Sequence, residues 1–419
     1  MIHTSEKFLQ YIWFNKLFSP RQTTTDGLRV EVLDVGQINT DAGADVFNAK
    51  IKIGDTLWAG NVEFHTYASD WQRHGHHTDR AYNAVILHVV LFDDGEAIRE
   101  NQTIVPQLII KYPKYIEEDF KSPQISFVHC ADKITQDKSK DFSEIFDRLI
   151  SERLENKCTA IDNLLANSAN DWEEAFYITT ARCFGFGTNA DTFEALAKRL
   201  PQKILAKHKD NLTHIEALLF GTGGFLEQSV EDEYFATLSK EFDFFRQKYE
   251  LNPMDISLWK QFRVRPTNFP TIRIAQFASL IHKSKKLFSK TIEIQSYKSL
   301  RQYYDCSPSA YWTDHYRFGE KTEPTTKHIS KSSIDSILIN SVIPFYYAYS
   351  RKFDLKKFAD FALELLREIP AEKNRITREF SRLGIHSRNA LQSQALTELK
   401  CRYCDVKRCY ICKNNFEIW

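Results

Sequence analysis

Glycine and proline are sparse in this chain, with 14 and 12 among 419 residues. That scarcity excludes a collagen-like, linker-rich or low-complexity protein. The formal net charge is only +1, so no whole-molecule field calls for a polyanionic partner, and charge has to be read locally. No stretch approaches the roughly 18 to 20 continuous apolar residues of a membrane-spanning helix. The opening segment "MIHTSEKFLQYIWFNKLFS" lacks the basic start, apolar run and small-residue cleavage site of a secretory leader. Its apolar residues Phe8, Leu9, Ile12, Trp13 and Leu17 recur at helical spacing instead. The expected address is the cytoplasm, with no membrane partner. There the eight cysteines do not read as a disulfide framework, because the thiol pool is kept reduced.

Aromatic residues are plentiful: 31 Phe, 18 Tyr and 7 Trp. Together with the length, they give enough apolar surface for an ordered protein of two or three domains. The pattern changes near residue 125. Before it, strand-like runs dominate at 28–35, 45–53, 56–65, 83–92 and 103–110, rich in Val and Ile or alternating apolar and polar residues. After about residue 139 the apolar residues recur at i, i+3 and i+4, as in "FSEIFDRLISERLENKCTAIDNLLA", "DTFEALAKRLPQKILAKH" and "FADFALELLREI". Pro106, Pro113 and Pro123 mark a junction between the two regimes. The expected fold class is α+β: a small mixed sheet over 1–125, a long all-helical domain over 126–395, and a cysteine-rich metal-binding tail over 396–419.

The element order in the first region is helix, three strands, a short helical or irregular segment over 69–82, then a strand. Asp45 opens the second strand. Glu63 lies near the end of the third, and two residues on His65 points to the same face. This αβββαβ order, with an acid opening one strand and an acid two residues before a base on the next, resembles the PD-(D/E)xK nuclease superfamily, the restriction-endonuclease-like fold. Here Ala44 stands at the proline position and His65 at the lysine position. A second resemblance covers most of the chain. "NTDAGADVFNAKIKIGDTLWAGNVEFH", "SDWQRHGHHTDRAYNAVILHVV", "ALLFGTGGFL", "RVRPTNFPTIRIAQFA" and "YCDVKRCYIC" resemble the bacterial family called domain of unknown function 2851, a likeness that implies membership and little function.

The nuclease resemblance implies Asp45, Glu63 and His65 as catalytic residues, with Asp45 and Glu63 holding Mg²⁺ or Mn²⁺. Phosphodiester cleavage needs a divalent ion to polarise phosphate and activate water, and one or two carboxylates suffice to hold it. A histidine takes a proton near neutral pH, but it supplies no permanent charge as lysine does. His65 therefore shifts the expected metal toward Mn²⁺, which accepts imidazole. Glu6 or Glu31 adds a further acid. In "SDWQRHGHHTDRAY", Arg73, His74, His76, His77 and Arg80 read as phosphate contacts flanking the metal. Alternatively, His76, His77 and Asp79 join His65 as zinc ligands, although the spacing matches no HExxH-type motif. Taken singly the residues have plainer readings: Asp45 as a turn cap, Glu63 on an exposed sheet face, His88 as a core or edge histidine.

The tail "CRYCDVKRCYICKNNFEIW" places Cys401, Cys404, Cys409 and Cys412 at C-x2-C-x4-C-x2-C spacing. Paired CxxC turns bring four thiolates to one ion, either zinc or an iron–sulfur cluster. The local set of four is preferred. The nuclease resemblance, in which one upstream and three downstream cysteines hold a cluster, implies Cys130 as an alternative fourth ligand to Cys401. Between Glu372 and Lys413 ten basic residues face four acidic ones, and "FRVRPTNFPTIR" sets Arg263, Arg265 and Arg273 beside Phe269, groups suited to phosphate and bases. The leading expectation is a metal-dependent nuclease-like protein cleaving DNA, with nucleic acid as partner. The alternatives are a non-catalytic nucleic-acid or protein-binding module with a structural metal, and a zinc hydrolase built on the 65–79 histidines.

Overall fold

The computed structural model of the protein describes residues 6–19, 21–39, 43–114, 141–261, 264–284 and 286–406, together with 116, 117, 120, 127, 128, 130, 131, 134, 408, 409, 411 and 412. The chain divides into two compact units. Unit 1 comprises Met1–Ser139 with Leu399–Trp419, and unit 2 comprises Lys140–Glu398. The cysteine tail, read from sequence as a separate segment, thus groups with the N-terminal unit. Among the described residues no helix is long and apolar enough to cross a membrane.

Unit 1 opens with α1 (Glu6–Phe14), which buries Phe8, Leu9, Ile12 and Trp13 on one stripe. Its strands are β1 (Gln22–Thr23), β2 (Arg29–Asp34), β3 (Gln37–Ile38), β4 (Val46–Ile53), β5 (Thr56–Tyr67), β6 (Val85–Phe92) and β7 (Gln107–Ile109). The sheet order is β1-β2-β4-β5-β6-β7, with β3 pairing β4. β4 and β5 form an antiparallel hairpin whose closing pair is Ile53 and Thr56. The Gly54-Asp55 connection is short because Gly54 takes a φ of +59°, as tight hairpin turns require. β6 runs parallel to β5, and β7 parallel to β6. A parallel partner cannot be reached by a tight turn, so residues 68–84 cross over between β5 and β6. They carry α2 (Asp70–Arg73) and two 3₁₀ turns, His76–Thr78 and Arg80–Ala84.

Alternation along β5 separates two environments. Val62 and Phe64 are fully buried in the main core, which contains Leu9, Ile12 and Trp13 of α1; the Trp13 and Phe64 rings meet edge-on at 5.7 Å. Glu63 and His65 point to the other face. A smaller apolar cluster of Ala44, Trp71, Tyr82, Val85, Ala97 and Val105 accompanies the crossover.

Unit 2 is predominantly helical. It begins with α3 (Ser143–Asn167), α4 (Trp172–Phe184) and α5 (Ala190–Arg199). The helical stripe expected over 191–208 is two helices: α5 ends before Pro201, and a second helix covers Gln202–Lys207. Proline lacks the amide hydrogen needed to continue the ladder. The region expected to be all-helical also holds a hairpin, β8 (His315–Arg317) with β9 (Glu320–Lys321), turned at Gly319 with φ +72°.

Candidate metal centre

Strand register assembles the polar face. In the parallel ladder Glu63 of β5 pairs with His88 of β6, and His88 pairs with Gln107 of β7. Gln107 Nε2 lies 2.7 Å from Asp93 Oδ1 and 3.2 Å from the Gly95 carbonyl oxygen. Both are acceptors, so the amide nitrogen donates to them and Oε1 faces His88 Nδ1 at 3.0 Å. His88 Nδ1 therefore carries hydrogen. Burial pushes His88 down to about 4, so at neutral pH its Nε2 is a bare acceptor. That nitrogen lies 2.8 Å from His65 Nδ1, which must donate to it. Burial, and then His88, His76 and His74, push His65 down to about 2. The network thus assigns His65 the tautomer with hydrogen on Nδ1 and a lone pair on Nε2.

The bare Nε2 of His65 faces the crossover. It lies 3.1 Å from His74 Nδ1 and 3.7 Å from Glu63 Oε1. His76 Nε2 is 3.3 Å from the same Glu63 oxygen. His76 is buried, and its Nε2 has no hydrogen-bond partner among the described residues. Its ring is stacked 3.7 Å from that of Tyr82 and meets Trp71 edge-on at 5.4 Å. One ligand atom each from His65, His74 and His76 falls within 4.8 Å of the others. Bonds of about 2.0–2.1 Å at tetrahedral angles set neighbouring donors about 3.3–3.4 Å apart, close to the Glu63–His76 and His65–His74 separations. His74 is exposed and forms the open side. Gly75, with φ +78°, lets the chain turn between His74 and His76 so that both reach His65.

Asp45 sits beside this set. Its backbone N–H donates to Glu63 Oε2 at 3.0 Å, and its Oδ2 accepts from the Phe64 N–H at 3.1 Å. Gln10 of α1 donates to its Oδ1 at 2.9 Å. Burial, and next the Glu63 charge, push Asp45 up to about 7. Glu6 of α1 is also raised, by burial first, with His74 opposing and Glu63 and Asp70 adding to the rise. Glu6 therefore belongs to the same electrostatic cluster.

The other residues singled out in the sequence are dispersed. Arg73 is exposed and pairs with the buried Asp70 at 2.7 Å, and His77 is exposed. Asp79 caps the following turn by accepting from the Ala81 N–H. Arg80 pairs with Glu100. Arg265 is exposed on unit 2, and Arg263 lies outside the described residues. Arg273 is buried, bonded to Gln276 at 2.8 Å and to Asn268, with its guanidinium 4.1 Å above the Phe186 ring. It is a packing cation rather than an exposed phosphate contact.

In the tail, Ala390–Leu399 continues into a π-helical turn, Lys400–Cys404. Lys400 Nζ lies 4.4 Å above the Phe127 ring. Asn15 of unit 1 donates to the Val406 carbonyl at 3.3 Å and accepts from Arg408 Nε at 2.5 Å. Burial raises the Cys404 thiol, with Cys412, Cys130 and Cys409 adding to the rise in that order. Cys130, Cys404 and Cys409 are partly buried and Cys412 buried, whereas Cys401 is exposed.

Gln107, Asp93 and Tyr82 were not marked by any motif. The one signal available for them was a glutamine and an aspartate close to a histidine-bearing apolar strand. Fold and side chains together define a two-unit α/β protein whose N-terminal unit gathers imidazoles around a carboxylate. A family model described as "Protein of unknown function (DUF2851)" matches residues 6–375, and the chain belongs to that family. Neither the curated proteins nor the solved structures yielded a match.

Proposed function

We propose that unit 1 is a divalent-metal-dependent, nuclease-like hydrolase that cleaves DNA phosphodiester bonds. The observation that carries this reading is the convergence of Glu63 Oε1 with His65 Nε2 and His76 Nε2, at 3.7 and 3.3 Å. With the two-residue strands β1 and β3 set aside, the order α1, β2, β4, β5, crossover, β6 supports the restriction-endonuclease-like part of the reading. So do Asp45 and Glu63, bonded across β4 and β5. Glu63, His65, His76 and the exposed His74 hold the ion. A donor set with this much imidazole favours Mn²⁺ or Zn²⁺ over Mg²⁺, which prefers oxygen. A divalent ion held there would lower the pKa of a bound water and polarise phosphate. Asp45, close to neutral in its pKa, is placed to accept or return a proton. Arg73 and His77 offer exposed donors for substrate phosphate.

The cysteines form a second, structural centre. The electrostatic influence of Cys412, Cys130 and Cys409 on Cys404, beside the exposure of Cys401, favours Cys130 as fourth ligand, for zinc or an iron–sulfur cluster.

The test is cleavage of single- and double-stranded DNA by full-length protein loaded with Mn²⁺, Zn²⁺ or Mg²⁺, beside Glu63→Ala. Cleavage with Mn²⁺ or Zn²⁺ that falls at least 100-fold in Glu63→Ala is expected. Metal-loaded protein that binds DNA without cutting it would instead establish the binding-module reading. Zinc-dependent hydrolysis of other esters with DNA left intact would establish the zinc hydrolase.

A further inference from the structure

Unit 2 carries a half-open cavity of about 670 Å³, which the metal chemistry proposed for unit 1 leaves without a role. Several elements wall it, α5 among them with Ala190, Glu194 and Lys198. α3 presents Lys157, Ile161 and Leu164 on one face, spaced four and three residues apart. The C-terminal end of α4 and the turn after it bring Cys183 and Phe186, and the opposite wall brings Asn340.

The charges lining the cavity are unequally matched. Arg182 is bonded to Asp191 at 2.5 Å and to Glu194 at 2.7 Å, and Lys198 to Glu194 at 2.6 Å. Lys157 Nζ reaches only the neutral Asn340 Oδ1, at 3.5 Å. No carboxylate pairs with it among the described residues. Burial pushes Cys183 up to about 11, so the neighbouring thiol is uncharged at neutral pH and provides no counter-ion. Burial also lowers Lys157 from its ordinary range, with Arg153 adding to the effect. A largely buried ammonium with one long neutral contact is costly unless an anion completes it.

Local backbone features aim groups into this space. Asn340 lies in a π-helical turn, Leu338–Val342, directly before the helix Ile343–Phe353. Such turns displace side chains from α-helical register and recur at functional sites. The Asn340 amide donates to the Ser336 carbonyl at 3.0 Å, which turns its oxygen toward Lys157. Phe186 adopts φ +42°, an unfavourable conformation for a bulky residue, and places its ring at the cavity wall.

We propose that this cavity binds a small organic anion, with one carboxylate or phosphate group seated on Lys157 Nζ and an apolar body against Ile161, Leu164 and Phe186. The volume lies within the roughly 300–1,000 Å³ of small-molecule sites. Its walls mix apolar residues with polar ones, Asn163, Asn167 and Thr179 among them.

The test is calorimetric titration of the full-length protein with phenylacetate, phenyl phosphate and neutral benzyl alcohol. At least one anion is expected to bind saturably, at least tenfold more tightly than the alcohol, and the tighter anion identifies the head group. Lys157→Met should lose at least tenfold in anion affinity while unfolding at the same or a higher temperature, since it removes a buried charge without changing the cavity's bulk. Leu164→Trp, which fills the cavity and keeps Lys157, should also abolish binding. Failure of wild type to bind either anion, or undiminished binding by both variants, overturns the proposal.

Discussion

Asp45 and Glu63 hold each other through the main chain: the Asp45 N–H donates to Glu63 Oε2 at 3.0 Å, and the neighbouring Phe64 N–H donates to Asp45 Oδ2 at 3.1 Å. Each acid thereby spends one oxygen on fastening β4 to β5. Gln10 occupies the other oxygen of Asp45, while Glu63 Oε1 is left facing His65 and His76. The two acids, adjacent in space, have different work.

That division predicts different responses to the loss of one charge. Glu63→Gln should weaken Mn²⁺ binding by at least tenfold. Asp45→Asn keeps an oxygen for the Phe64 N–H, while its new amide can donate to the oxygen of a turned Gln10, and it should change Mn²⁺ affinity less than threefold. Calorimetric titration of both variants checks this, and equal losses would make Asp45 a ligand in its own right.

The pH dependence of stability carries opposing contributions, to be measured by urea unfolding in EDTA. His88 is held near 4 and His65 near 2 when folded, against about 6.5 unfolded. Their contribution is fully present above pH about 6.5 and is lost as pH falls through the folded values. For His88 alone the shift corresponds to about 3 kcal/mol. Asp45 is raised to about 7, so its contribution has the other sign: it is present at low pH and lost as pH rises through 7. Asp45→Asn should therefore steepen the gain in stability between pH 4 and 6.5 and flatten the decline near pH 7. An unchanged profile would sink the assignment of that decline to Asp45.

The Gln107–His88–His65 chain makes a prediction about groups that never touch an ion. In Gln107→Leu, His88 loses the acceptor that fixes hydrogen on its Nδ1, and His65 is no longer confined to one tautomer. Partners of this kind typically change metal affinity about 10- to 100-fold. A loss in that range, with far-ultraviolet dichroism unchanged, is expected at the histidine centre. Any zinc or iron held by the cysteines should remain the same, which separates a local effect from unfolding.

The cysteine grouping predicts that Cys130→Ser lowers the metal content of purified protein by one site, as Cys404→Ser does, whereas Cys401→Ser leaves it intact. Elemental analysis, with absorbance near 400 nm to reveal an iron–sulfur cluster, distinguishes them. The reverse ranking would restore the contiguous tail set.

Much of this arrangement is legible in the linear chain, and what escapes has a physical cause. Period-2 alternation in residues 56–65 already puts Glu63 and His65 on one face, and Asp45 stands at the head of its strand. His74 reads only as a flanking surface, and His76 either so or as a zinc ligand with His65, because their approach to His65 depends on one left-handed residue, Gly75, and on the path of a crossover; neither has a periodic signature. His88 looks like an ordinary strand histidine, since its partner Gln107 arrives through parallel register between β6 and β7, 19 positions further along. The helical stripe over 191–208 is real in hydrophobic pattern, but Pro201 overrides it locally. Arg273 shows what a linear reading lacks: an arginine beside an aromatic suggests a ligand surface, and only the fold reveals that the side chain is buried.

The bond from Arg408 to Asn15 spans 393 positions. A ribosome making this chain releases α1 early, then must produce the whole of unit 2 before residues 399–412 exist. The first unit to begin is therefore the last to be finished. Its histidine-bearing sheet emerges with one flank still waiting for the tail, and nascent chains stalled inside unit 2 will expose that flank.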